Sequence, residues 1–127
     1  MIRHRVIIPE GLKPYPARYE LSAADILATF FKTDVEFITR SNQKTPDFLI
    51  DGRQWELKSP TGKGKNNIQH QLQAGLKQSD NIIFDARRSK INIIKIRGEL
   101  NRQFHLSKSI RRLVLIQKDK SVIELLK

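Results

Sequence analysis

No cysteine occurs anywhere in the chain. That absence excludes a disulfide framework, a zinc knuckle, an iron–sulfur cluster and a thiol nucleophile. No apolar run approaches the roughly 20 residues needed to span a bilayer. The first ten residues include basic ones but lack the apolar stretch of about 7–15 residues that marks a secretory signal. Aromatic residues make up 7% and do not interleave with the basic clusters, which argues against a base-stacking module for single strands. Histidine is limited to His4, His70 and His105, scattered along the chain. A metal-independent ribonuclease built on a paired general acid and base therefore finds little support. Acidic residues are also scarce, 13 against 24 Lys and Arg, which leaves a net charge of +11. An excess of that size favours a polyanionic partner, and nucleic acid is the commonest.

What the chain does have is the make-up of a folded protein: 127 residues, 39% hydrophobic and 29% charged, with no repeat and no low-complexity segment. The expectation is a single domain over 1–127, with 1–16 as an extended N-terminal arm holding Pro9, Pro14 and Pro16 around Val6-Ile7-Ile8. Pro16 suits the first turn of a helix. From Ala17 to about Lys32, Ala23, Ile26, Leu27, Phe30 and Phe31 recur at helical spacing. A later start at Ser22, with Asp25 completing a variant capping box, is an alternative. A short strand at Val35–Ile38 follows, and Arg40 to Thr45 reads as a polar loop. Two strands, Asp47–Ile50 and Gln54–Lys58, flank Asp51-Gly52, a pair that tolerates positive φ and marks a hairpin. Ser59 to Lys65 is a basic loop with two glycines. A helix over Asn66–Gln78, a buried strand at Asn81–Phe84, a basic turn from Asp85 to Lys90, a helix from Ile91 to about His105 and strands at Arg112–Gln117 and Ser121–Leu126 complete the order α-β-β-β-α-β-α-β-β. The fold class is α/β (α+β), a mixed central sheet flanked by helices.

The informative stretch is Thr45 to Asn67, TPDFLIDGRQWELKSPTGKGKNN. Side chains alternate along a strand, so Glu56 and Lys58 share one face while Trp55 and Leu57 take the other, toward the core. The tight turn folds the strands antiparallel and brings Asp47 toward Glu56 at the open end of the hairpin. Two carboxylates so close repel unless a cation lies between them. A hard divalent ion such as Mg²⁺, or Mn²⁺, fits, since it takes one or two protein carboxylates and fills its shell with water and phosphate oxygens. Lys58 is then placed to orient the attacking water or to neutralise charge growing on a phosphate.

Pro46-Asp47 … Glu56-Leu57-Lys58, with a helix before the hairpin and a helix and strand after it, resembles the PD-(D/E)xK nuclease superfamily. Over Glu20 to about Arg88, the run PDFLIDG–WELKSP–GKGKNNI–Q ending in IIFDARR resembles the tRNA-nuclease C-terminal toxin domains of contact-dependent growth inhibition (CdiA) proteins. The resemblance implies a restriction-endonuclease-like core and metal-dependent hydrolysis of tRNA in a competitor's cytoplasm. It implies Asp47, Glu56, Lys58 and a polar helix residue, Gln71 or secondarily His70, as catalytic. It also implies Asp47, Glu56, the Leu57 backbone carbonyl and a first-helix carboxylate as metal ligands. Glu20 best matches that last position and Asp25 is the fallback. An acidic immunity or inhibitor protein is the expected partner, with no membrane.

Nucleic-acid contacts are expected from Ser59, Thr61, Lys63, Lys65 and Asn67, where a basic loop runs into a helix N-terminus, and from Arg87 and Arg88. Asp85 is read as the structural partner of those arginines. Two other functions stay open on the residues alone: a DNA endonuclease of the same fold in repair or mobile-element processing, and a basic nucleic-acid-binding protein without catalysis. The oligomeric state is not encoded in any motif.

Overall fold

The computed structural model describes residues 4–39 and 45–127. Chain order is β1 (Val6–Ile7), α1 (Arg18–Phe31), β2 (Val35–Phe37), β3 (Phe48–Ile50), β4 (Arg53–Lys58), α2 (Asn67–Gly75), β5 (Asn81–Asp85), α3 (Ile93–Leu106), β6 (Arg112–Ile116) and β7 (Val122–Glu124). The strands form one sheet in which spatial order follows chain order, β1 to β7. β1 lies parallel to β2, and β2, β3 and β4 form an antiparallel meander. β4, β5 and β6 are parallel, and β7 returns antiparallel to β6. Each parallel step carries a helix in its crossover, as that geometry requires.

α1 packs on one face of the sheet and touches β1, β2 and also β7. Six inter-strand steps of about 4.8 Å would hold the edges of a flat sheet roughly 29 Å apart, too far for one helix about 10 Å wide to reach both. The sheet therefore curls around α1. The core inside the curl joins Ala23, Ala24, Leu27 and Ala28 to Val35, Phe37, Phe48, Trp55, Leu57, Ile83 and Val114. Three alanines among these four buried helix positions let the helix sit close to the concave wall. The opposite face joins Ile68 and Leu72 of α2 and Ile96, Leu100 and Phe104 of α3 to Ile82, Phe84, Leu113 and Leu115. β5, buried along its whole length, separates the two cores.

Several expectations need correction. Part of the arm is a sheet strand: Val6 and Ile7 pair with Val35 and Glu36, so the order begins with β rather than α. Two half-buried apolar residues suffice because the curl brings α1 over them. Pro16 precedes the helix instead of sitting in its first turn. Ala17 is extended at the N-cap, and its amide donates to Glu20 Oε1 at 2.9 Å. Helix initiation at Ala17 rules out the later start, and Ser22 lies inside α1. α2 ends at Gly75, three residues early, where Lys77 and Gln78 amides turn back to Ala74 and Gly75. α3 starts at Ile93, capped by Asn92 Oδ1 accepting from Ile94 N at 2.8 Å. β7 is shorter than expected. The polar loop expected at Arg40–Thr45 lies outside the described residues except for Thr45.

The end of β5 is tied to α1 by a buried ion pair. Asp85 is fully buried and accepts from Arg87 Nε at 2.9 Å and from Nη2 at 2.8 Å. The same guanidinium donates to Ser22 Oγ at 2.6 Å and to the Tyr19 carbonyl at 3.0 Å. Asp85 thus has the structural role expected of it toward Arg87, while Arg88 turns to Ser59. Asp85→Ala strands a mostly buried guanidinium and is expected to cost about 3–5 kcal/mol. Urea unfolding should show this as a lower midpoint at unchanged slope. A loss below about 1 kcal/mol would show that the pair does not hold α1 to β5.

Candidate active site

The β3–β4 hairpin sets the geometry. Asp51 (φ 50°) and Gly52 (φ 77°) are both left-handed, the conformation a two-residue hairpin turn demands. Phe48 pairs with Trp55, Leu49 with Gln54 and Ile50 with Arg53. β3 pairing ends at Phe48, so Asp47 stands at the mouth beside the last turn of β4. Its amide donates to the Trp55 carbonyl at 3.0 Å, and its Oδ2 accepts from the Leu57 amide at 2.8 Å. This second bond was not foreseen from the sequence. It fixes the carboxylate in place of the backbone partner that β3 no longer supplies. Within a strand a residue's N–H and C=O point to the same side, so the Leu57 carbonyl also faces the Asp47 edge.

Alternation places Trp55 and Leu57 in the core under α1. Glu56 and Lys58 turn to the other face, in register with Ile82 and Phe84. Glu56 is only 6% exposed, and its Oε1 is buried without a hydrogen-bond partner among the described residues. Lys58 Nζ lies 3.5 Å from Glu56 Oε2. The Lys58 stem runs along α2 at Gly75, where an added Cβ would lie 3.6 Å from Lys58 Cε and 3.3 Å from Ile82 Cδ1. A side chain there would press on Ile82 and reach only ordinary contact with the lysine stem.

The Glu56 carboxyl is pushed up to about 8. Burial is the main cause, and the charge and hydrogen-bonding reach of Asp47 add to it. Lys58 opposes both. An ammonium at that distance supplies attraction of about 4–5 kcal/mol at an effective dielectric near 20. It is outweighed, so Glu56 resists ionisation where it lies. Asp47, Glu56 and Lys58 thus converge as expected at the hairpin mouth. The Glu56 Oε1, buried without a hydrogen-bond partner among the described residues, and an all-oxygen donor set fit a hard divalent cation.

Glu20 is placed differently. Its Oε1 takes the Ala17 amide, and it shares with Asp47 the lining of a crevice of about 20 Å³. Among the described residues no three His, Asp or Glu side chains are grouped to hold one ion. Asp25 is exposed on α1. Gln71 is half-buried on α2, one turn before Gly75 and so on the helix flank that Lys58 follows. It makes no hydrogen bond to the three residues at the mouth among the described residues. His70 is exposed.

The loop after β4 is exposed from Thr61 to Lys65, while Pro60 is buried. Asn67 opens α2, its amide donating to the Gly64 carbonyl at 3.1 Å and its side chain resting against Gly62. Arg87 is mostly buried, its guanidinium engaged by Asp85, Ser22 and the Tyr19 carbonyl. Arg88 is exposed, but it donates from Nε to Ser59 Oγ at 3.1 Å and from Nη2 to the Ser59 carbonyl at 2.7 Å, and it lies 3.5 Å from the centre of the Tyr19 ring. Apart from Asp85, the sequence had no signal for these contacts, whose partners are distant along the chain.

No helix among the described residues is long and apolar enough to cross a membrane. Comparison with curated protein sequences finds no match. Among solved structures, the chain is similar to one described as a CdiA-CT/CdiI toxin and immunity complex from Burkholderia pseudomallei. That match has a TM-score of 0.66 and 16% identity, over 95% of this chain and 98% of that one. At that identity the likeness speaks for the fold. Residues 44–122 match the model of the contact-dependent growth inhibition CdiA C-terminal domain. With more than half of its length matched, the chain belongs to the CdiA C-terminal domain family of contact-dependent growth inhibition toxins.

Proposed function

We propose that this chain is a metal-dependent endonuclease of the PD-(D/E)xK type that hydrolyses phosphodiester bonds in tRNA as the toxic part of a CdiA-like protein. The observation that carries the reading is the convergence of Asp47, Glu56 and Lys58 at the hairpin mouth, with Glu56 buried, one oxygen unpartnered and its carboxyl pushed up to about 8. A buried acid so costly to ionise is poor structural engineering and good ligand design. Asp47, Glu56 and the Leu57 carbonyl would hold Mg²⁺ or Mn²⁺, which supplies Lewis-acid polarisation of the phosphoryl group and offsets the repulsion between the acids. Lys58, fixed by Glu56 and α2, presents its ammonium to the reacting phosphate and orients the attacking water. Gln71 lies along the same edge and adds a neutral hydrogen-bonding group. Lys63 and Lys65 lead the RNA backbone toward the mouth.

The family and the net charge of +11 support a nucleic-acid substrate. The solved neighbour is a toxin–immunity complex, which supports an acidic immunity protein as the partner that holds this activity in check. A basic surface suits such a partner.

Incubating total tRNA and plasmid DNA with the protein tests the reading. Cleavage of tRNA in Mg²⁺ or Mn²⁺, its loss in EDTA, and loss of at least about 100-fold in Asp47→Ala, Glu56→Ala and Lys58→Ala are expected. The variants should keep the circular dichroism of the parent. Activity undiminished in all three, or unaffected by EDTA, would contradict the site. Cleavage of plasmid alone would transfer the assignment to a DNA substrate.

Protonation adds a second test. Below about pH 4.5 Glu56 is protonated in both states of the chain; between 4.5 and about 8 the unfolded chain ionises there and the folded one does not. Its contribution to stability is therefore complete at low pH and declines as pH rises through that window, by at most about 1.4 kcal/mol per pH unit. In EDTA, Glu56→Gln should remove this decline relative to the parent, and Mg²⁺ should oppose it in the parent. Identical pH profiles for parent and variant in EDTA would show that Glu56 is not buried as described.

Salt dependence tests the loop. Lys63→Ala and Lys65→Ala should each lower the slope of log affinity against log salt by about 0.7–0.9 for RNA bound to the Glu56→Gln protein. An unchanged slope would place the backbone elsewhere.

A further inference from the structure

Arg87 and Arg88 grip the same residue of α1 in different ways. Arg87 takes the Tyr19 carbonyl from within the core contact, while Arg88 stacks on the Tyr19 ring from outside. The stacked guanidinium turns two donors onto Ser59, one onto its hydroxyl and one onto its carbonyl. Ser59 directly follows Lys58 and opens the loop that carries Lys63 and Lys65. Pro60 next to it is buried, so the chain direction is set within these two residues. On the far side, Gly64 and Gly62 meet Asn67 at the start of α2. The loop is thus anchored at both ends and exposed between them.

We propose that Arg88 is a positioning residue: stacked on Tyr19, it clamps Ser59, and so holds the basic loop at the edge of the Asp47–Glu56–Lys58 site. Its function rests on shape. A guanidinium is planar, stacks on an aromatic face and presents two fixed parallel donors, whereas a lysine ammonium is a point charge on a flexible stem. Arg88 therefore does not contact the phosphate backbone directly. For its catalytic consequence the inference rests on the proposed nuclease reading. The clamp itself can be tested without it.

The experiment compares Arg88→Lys, Tyr19→Leu and Tyr19→Phe with the parent by two readouts. The first is limited trypsin cleavage after Lys63 and Lys65 in the absence of RNA. Arg88→Lys and Tyr19→Leu should be cut there several-fold faster, and Tyr19→Phe, which keeps the ring, at the parental rate. The second is steady-state cleavage of tRNA. Arg88→Lys and Tyr19→Leu should raise KM about tenfold with kcat within about twofold, the signature of lost binding rather than lost chemistry. Parental cleavage kinetics and parental trypsin sensitivity in Arg88→Lys would overturn the proposal, because charge alone would then suffice. A rise in KM with the loop still protected would equally overturn it, assigning Arg88 to direct phosphate contact. Should the parent itself cleave no RNA, the nuclease reading fails and the trypsin comparison alone decides whether the clamp exists.

Discussion

The fold is arranged around a repulsion. Two carboxylates, Asp47 and Glu56, are held together at the mouth of a hairpin, one of them buried, with the Lys58 ammonium beside Glu56. Left alone, such a pair separates or takes up a proton. Here it does not separate, because each acid is fixed by something else. Asp47 is tied to the Leu57 amide. Glu56 is fixed by strand alternation, which must place it opposite Trp55 and Leu57, and those two are locked in the core beneath α1. Strain at the site is therefore balanced by burial of an indole and a leucine on the other side of the same strand.

The curl of the sheet serves that balance. By wrapping seven strands around a helix with alanines at its inner face, the chain buries β4 on one side with a single short helix. The other side of β4 stays open enough at its C-terminal end for Glu56, Lys58 and the loop that follows. α2 approaches there through Gly75, which packs closely on Ile82 beside the Lys58 stem. The ends of the parallel strands β4, β5 and β6 lie together, as in open α/β sheets that place their ligand sites at the carboxyl ends. Asp85 and Arg87 close the neighbouring strand end onto α1, so the edge of the site is built from elements distant in sequence.

Much of this was legible from local pattern. Asp51-Gly52 specified the hairpin because only residues at ease with positive φ suit its turn. Period-two alternation separated Trp55 and Leu57 from Glu56 and Lys58, and the tight turn brought Asp47 to the same end of the hairpin. Helical spacing placed the three helices, but in α1 it marked the exposed Phe30 and passed over the buried Ala24 and Ala28 beside Ala23 and Leu27. What was missed depends on contacts across the chain. β1 has two residues and gains its place only from the curl. Arg87 and Arg88 were expected to contact nucleic acid with Asp85 as their structural partner, yet they also hold Tyr19, Ser22 and Ser59, all at least 29 positions away. Glu20, which only the resemblance pointed to, gives one oxygen to the Ala17 amide and shares a crevice with Asp47.

The claim that most depends on the structure is that the acids at the hairpin mouth form a cation site. The direct measurement is anomalous diffraction from a crystal of the protein soaked in Mn²⁺. The account predicts a peak shared by the Asp47 and Glu56 carboxylates and the Leu57 carbonyl. A strong Mn²⁺ peak elsewhere on the chain, with none at this mouth, would contradict it.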